Sequence, residues 1–278
     1  MKQHYSATRI VAGLALSICC VVFASIGTPL IPNANGQRED KVRFNATGAE
    51  GAISGKVRFD GDTPLRRRID MGQDANCAAI ARNPRFDDVV VTGGALANVF
   101  VYVKGDELNR FAFDKPQTGV VLDQRRCQFV PRVLGIQTGQ SLIIFNSDPT
   151  VHNVHPVPKT NQEWNQTQAQ NAGPLEKVFT RSEALIPVRC NQHPWMRAYI
   201  GVLSHPFFAV SARDGSFRID GLPPGGYTLV AWHETLGEQT MGIDLTARES
   251  KSVEFVFRTN AHNSTSTSLN TEAPLEVR

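Results

Sequence analysis

The stretch RCNQHPWMRAYIGV, residues 189–202, sets Cys190, His193 and Met196 at three-residue steps. A thiolate, an imidazole and a thioether together suit copper in both of its common oxidation states. A fourth donor lies upstream in NSDPTVHNVHPV, residues 146–157, where a polar turn leads into His152. Two imidazoles and a thiolate around one ion, with a weak thioether above them, make a mononuclear copper site. Zinc would accept the histidines and the cysteine but gains little from the methionine. His155 follows His152 by three residues, so on an extended strand it points to the opposite face and is not counted as a ligand. Asn153 is placed to hydrogen-bond across to the ligand loop and brace it.

These donors must sit at strand ends. In ALIPVRC, residues 184–190, Ile186, Val188 and Cys190 share one face by the period-two rule, so the apolar face carries the thiol inward. NQHPWM is then the loop to the next strand, where Ala198, Ile200 and Val202 share a face, and Pro194 restricts the loop. The rest of the chain reads the same way. Short β-branched or aromatic runs such as ISGKVRF (53–59), NVFVYV (98–103), RVLGIQ (132–137), QSLIIFN (140–146), YTLVAWH (227–233) and SVEFVFR (252–258) are bounded by Gly, Pro, Asp or Asn. One short helix is expected in DANCAAIARN, residues 74–83, with Asp74 as N-cap and Pro84 beyond its end. The fold class is therefore all-β, built of sandwiches or barrels.

The bulk numbers narrow the function. The 278 residues carry 20% charged and 41% hydrophobic residues and a net charge of +3, which suits a globular protein and gives no basic surface for nucleic acid. Arg66–Arg68 is read as a solvated loop. Lys2 and Arg9 precede the uncharged run at residues 10–26, the pattern of a signal peptide, with an uncleaved anchor as the rival. Either way the body is exported to the periplasm, the cell envelope or the exterior, with no stable membrane insertion after cleavage. Outside that segment three cysteines remain. In an oxidising compartment Cys77 and Cys127 are the natural pair, leaving Cys190 for chemistry; three buried thiols are the alternative. No nucleophile elbow, P-loop or zincin motif is present, so no enzyme is expected. His205, His233 and Glu234 are not taken as a second metal site; AWHETLG is read as a strand end with a solvated turn.

Taken together, CQFVPRVLGIQTGQSLIIFNSD (127–148), HNVH (152–155) and CNQHPWMRAYIGV (190–202) resemble the amicyanin family of short-loop blue-copper cupredoxins, over roughly residues 118–206. Ala198 departs from the glycine usual there. The resemblance implies a cupredoxin Greek-key sandwich holding one type-1 copper ion on His152, Cys190, His193 and Met196. It also implies single-electron transfer between protein partners of the dehydrogenase or cytochrome c type. His193 would then reach the surface, with Pro194 and Trp195 as an apolar docking rim. A second resemblance, to carboxypeptidase regulatory-like (transthyretin-like) β-sandwiches, rests on ISGKVRFDGDTPL (53–65), ALANVFVYVKG (95–105), RDGSF (213–217) and LPPGGYTL (222–229). It implies one sandwich split by an insertion. The expected layout is a signal peptide at 1–24 and a linker at 25–49, then the first sandwich part at 50–109 and the cupredoxin domain at 110–206. The second sandwich part follows at 207–258, and a disordered tail at 259–278. The alternative function is a cell-envelope binding module or copper store in which the cupredoxin is a structural insert.

Overall fold

The computed structural model describes residues 41–259; the expected signal peptide and nearly all of the expected tail lie outside them. The described chain is mostly β, with short α-helices only at Ala75–Ile80 and Asp106–Asn109. Among the described residues no helix is long and apolar enough to cross a membrane.

The donor-bearing strands form one two-sheet sandwich. Its first sheet runs Leu175–Val178, Ser141–Asn146, Val120–Gln124, Phe129–Val130, and its second Gln166–Gln168, His152–Pro156, Glu183–Arg189, Arg197–Leu203, Val133–Gln137. Alternation fills the space between them: Leu142 and Ile144 face Ile186, Val188, Ile200 and Val202, all fully buried. Gln166–Gln168 and Leu175–Val178 were not anticipated, because neither carries an apolar run and each is ordered by pairing with a stronger neighbour.

A second sandwich flanks the first. One sheet runs Phe208–Val210, Phe100–Lys104, Gly225–His233, Gly237–Leu245. In the other, Gly51–Asp60 pairs with both Ser216–Leu222 and Ser250–Arg258, joining segments far apart in sequence. Its core is Ile53, Val57, Val101, Val103, Leu229, Ala231, Phe255 and Phe257. Within the segment expected as a linker, Val42–Arg43 pairs in parallel with Phe111–Ala112.

Two glycines bring the sandwiches into contact. Gly135 and Gly201 lie opposite each other on paired strands. A Cβ on either would lie 2.3 Å from a ring, Phe208 for Gly135 and Phe100 for Gly201. The absent side chains let these two rings, stacked at 5.7 Å, pack directly on the backbone of the donor-bearing sheet. Residues 61–90 leave the flanking sandwich and fold over the donor loop, burying Ile69, Met71 and Cys77 in the donor sandwich's core.

Candidate metal centre

His152 opens its strand and is fully buried. The turn before it is tied down by Asn146, whose amide donates to the Thr150 and Gln168 carbonyls at 2.9 and 3.0 Å. Cys190 directly follows the strand Glu183–Arg189, and the loop after it is closed by two backbone bonds. The Met196 amide donates to the His193 carbonyl at 2.9 Å, and the Cys190 amide reaches the Met196 carbonyl at 3.4 Å. This short loop gathers Cys190, His193 and Met196 at one sheet end, with exposures of 2, 3 and 1%. The brace expected of Asn153 is present: its Oδ1 accepts the Asn191 amide at 2.7 Å and lies 3.4 Å from the Cys190 sulfur. His155 turns away to Asn191 and Glu163, outside the cluster.

The inner atoms converge. His152 Nδ1 and His193 Nδ1 are 2.9 Å apart, and Cys190 Sγ is 3.5 Å from His193 Nδ1. One donor atom from each of the three lies within 4.8 Å of the others. Atoms bound to one ion at about 2.0 to 2.3 Å must lie within roughly 4.6 Å of each other, so the set is close to closed around a single centre. Buried nitrogens and a sulfur, with a thioether on the closing loop and no carboxylate turned inward, fit copper.

The outer nitrogens explain why the inner ones face inward. His152 Nε2 donates to Asp148 at 2.9 Å, and His193 Nε2 to Asp74 at 3.0 Å. A carboxylate on the outer nitrogen fixes the tautomer that leaves the Nδ1 lone pair free for a metal. Both carboxylates are themselves held. Asp148 accepts the backbone amides of Arg126 and Cys127 at 2.6 and 2.7 Å. Those residues have φ of 56° and 54°, consecutive left-handed positions whose amides converge on an anion. Asp74 caps the helix Ala75–Ile80 by accepting the Cys77 amide at 2.9 Å with one oxygen, and holds His193 with the other.

The electrostatics follow. Burial disfavours a charged His152, but Asp148 and Cys190 outweigh it and raise its pKa to about 9. Burial would also raise the Cys190 thiol; His152, Asn153 and His193 instead lower it to about 7. Asp74 is held at about 2 against its own partial burial by the Cys77 amide, His193 and Thr150. Between about pH 7 and pH 9 the metal-free centre is thus a thiolate beside an imidazolium.

Cys77 and Cys127 form a disulfide. It lies over the outer edge of His193, with Cys77 Sγ 3.7 Å from Nε2, and the Trp195 indole donates to the Cys127 carbonyl at 2.9 Å. This corrects one expectation: His193 does not reach the surface, because residues 61–90 and their disulfide cover it. Two further clusters, Asp74–Cys77–His193 and Cys127–Asp148–His152, each include a disulfide-bonded cysteine and offer no free thiolate. The AWHETLG segment is a strand end followed by a turn with Thr235 and Gly237 exposed, as expected, but His233 is 1% exposed and Glu234 is clamped by Arg132, with Nη2 donating at 2.7 Å. Arg66 and Arg67 are exposed but paired with Asp87 and Asp88.

No protein-family model and no curated protein matches the sequence. Among solved structures, a Cu(I) mutant of amicyanin aligns at 21% identity over 30% of this chain and 81% of its own, with a TM-score of 0.27. A purple cupredoxin from Nitrosopumilus maritimus aligns at 18% identity over 30% of this chain and 98% of its own, TM-score 0.26. A copper-containing nitrite reductase from Thermus scotoductus aligns at 15% identity over 52% of this chain and 28% of its own, TM-score 0.29.

Proposed function

We propose that the chain is an exported carrier of single electrons, working at one type-1 copper ion held by His152, Cys190, His193 and Met196. The observation that carries this reading is the buried convergence of His152 Nδ1, Cys190 Sγ and His193 Nδ1 on a loop that also bears Met196. Bound copper would supply a one-electron couple, Cu(II) to Cu(I). The protein's part is to keep the donors in place through that change. Asp148 and Asp74 fix the two imidazoles, Asn153 fixes the thiolate, and burial keeps water out. A frame braced at every donor needs little rearrangement on electron transfer. Redox partners of the dehydrogenase or cytochrome c type suit this role, and catalysis is not part of it.

The test is direct. Copper added to the purified protein should give an intense thiolate-to-copper absorption that disappears in Cys190→Ser. A colourless protein after reconstitution would end the electron-carrier reading. A second reading, copper storage, draws support from the covered His193. A store would bind copper yet resist rapid reversible reduction, so cyclic voltammetry separates the two.

A further inference from the structure

His193 is closed off by Asp74 and the disulfide, yet the centre has another neighbour that reaches solvent-accessible space. The Trp195 ring lies 5.1 Å from that of His193 and lines a cleft of about 520 Å³. Small-molecule sites run from roughly 300 to 1,000 Å³. Three parts of the chain build the cleft: the covering segment, the donor loop with its following strand, and the flanking sandwich through Glu234. Its walls carry three rings, Phe86, Trp195 and Tyr199, and the Arg67 guanidinium already covers Phe86 at 4.6 Å, which leaves Trp195 and Tyr199 for an occupant. Tyr199 is itself held edge-on against Trp232 at 5.1 Å.

The charges are more selective than the rings. Glu234 is taken up by Arg132, and Asp88 is shared between Arg67 and Arg132. That leaves Arg197 and Asp70, which take part in no ion pair among the described residues. Asp70 gives one oxygen to the Gly72 amide at 2.9 Å and keeps the other free. A cleft with aromatic walls, one spare guanidinium and one spare carboxylate matches a ring bearing both an anion and a cation.

We propose that this cleft binds a small aromatic zwitterion with the chemistry of a free aromatic amino acid. Its carboxylate would rest on Arg197, its ammonium on Asp70 and its ring beside Trp195 and Tyr199. The occupant meets the metal centre through Trp195 rather than at the edge of His193. That link rests on the copper reading; the binding does not.

Calorimetric titration of L-phenylalanine into the metal-free full chain tests the binding, with benzoate and benzylamine as single-charge fragments. L-Phenylalanine should bind, and each fragment should bind roughly tenfold or more weakly. Arg197→Gln should weaken L-phenylalanine by a similar factor while leaving benzylamine unchanged; Asp70→Asn should do so while leaving benzoate unchanged. Both side chains are exposed, so neither variant threatens the fold. No binding of L-phenylalanine, or binding that neither substitution alters, would overturn the proposal. In the copper-loaded protein L-phenylalanine should shift the visible band, and an unmoved band at saturation would overturn the route through Trp195. A protein that takes up no copper sinks the electron-carrier reading and leaves the calorimetric result to stand or fall alone.

Discussion

The two sandwiches each bury histidines, and they treat them in opposite ways. In the flanking sandwich and its approach, His205 and His233 have their pKa values lowered by burial to about 4. Each accepts backbone amides at Nδ1, from Phe207 for His205 and from Thr235 and Leu236 for His233, so each works as a neutral turn cap. In the donor sandwich His152 is as deeply buried but raised to about 9, because Asp148 sits on its outer nitrogen. Burial alone therefore says nothing about function. What separates a packed imidazole from a metal-ready one is the carboxylate behind it and the thiol in front of it.

The sharpest way to break this contrast is to remove the carboxylate. Asp148→Asn should lower metal affinity by about 10- to 100-fold, read from competition with a chelator of known affinity. His233→Gln should leave that affinity unchanged, so a comparable loss there would erase the distinction drawn between the two regions. Proton release sharpens it next. At pH 8 Cys190 is already a thiolate and His152 is protonated, so metal uptake should release about one proton from these two groups. Near pH 6 it should release about two, because both are then protonated. Titration in weakly buffered solution with an indicator dye reads the difference, and a constant value across that range would contradict the thiolate–imidazolium pair.

Contact between the sandwiches should cost less to disturb. Gly201→Ala pushes a methyl group into the Phe100 ring and should destabilise the protein by about 1–3 kcal/mol in urea, with metal affinity nearly intact. The smallest effect concerns Asp74. Its folded pKa is depressed to about 2, so its contribution is present above the ordinary carboxylate value and is lost as pH falls through about 2. Asp74→Asn should make the stability of the metal-free protein fall less steeply between pH 4 and pH 2, seen in melting temperature against pH.

The clustering of His152, Cys190 and His193 was legible because these residue types stand out by chemistry and order: a histidine after a polar turn, then Cys-x-x-His-x-x-Met between strands. The strands carrying them were legible because alternation and turn residues are local signals. Gln166–Gln168 and Leu175–Val178 were not, since their pairing depends on neighbours rather than on their own residues. Asp74 was visible as a helix cap, but nothing local tells that its second oxygen reaches His193, 119 residues away. Asp148 stands in the polar turn before His152 with no local sign of its role, because its amide partners at Arg126 and Cys127 come from another loop. The covering of His193 was missed for the same reason: it is made by residues 61–90, which lie outside the stretch that resembles the amicyanin family.

The bond between Cys77 and Cys127 carries a warning for anyone who would trim this molecule to its smallest working piece. Cutting at residue 118 would keep all four donors and both of their sheets. It would also discard Asp74 and strand Cys127 as an unpaired thiol, in the group where it, Asp148 and His152 each bring one donor atom within 4.8 Å of the others. Such a fragment would own two rival thiols near the same imidazole, and its chemistry would no longer be that of the whole chain.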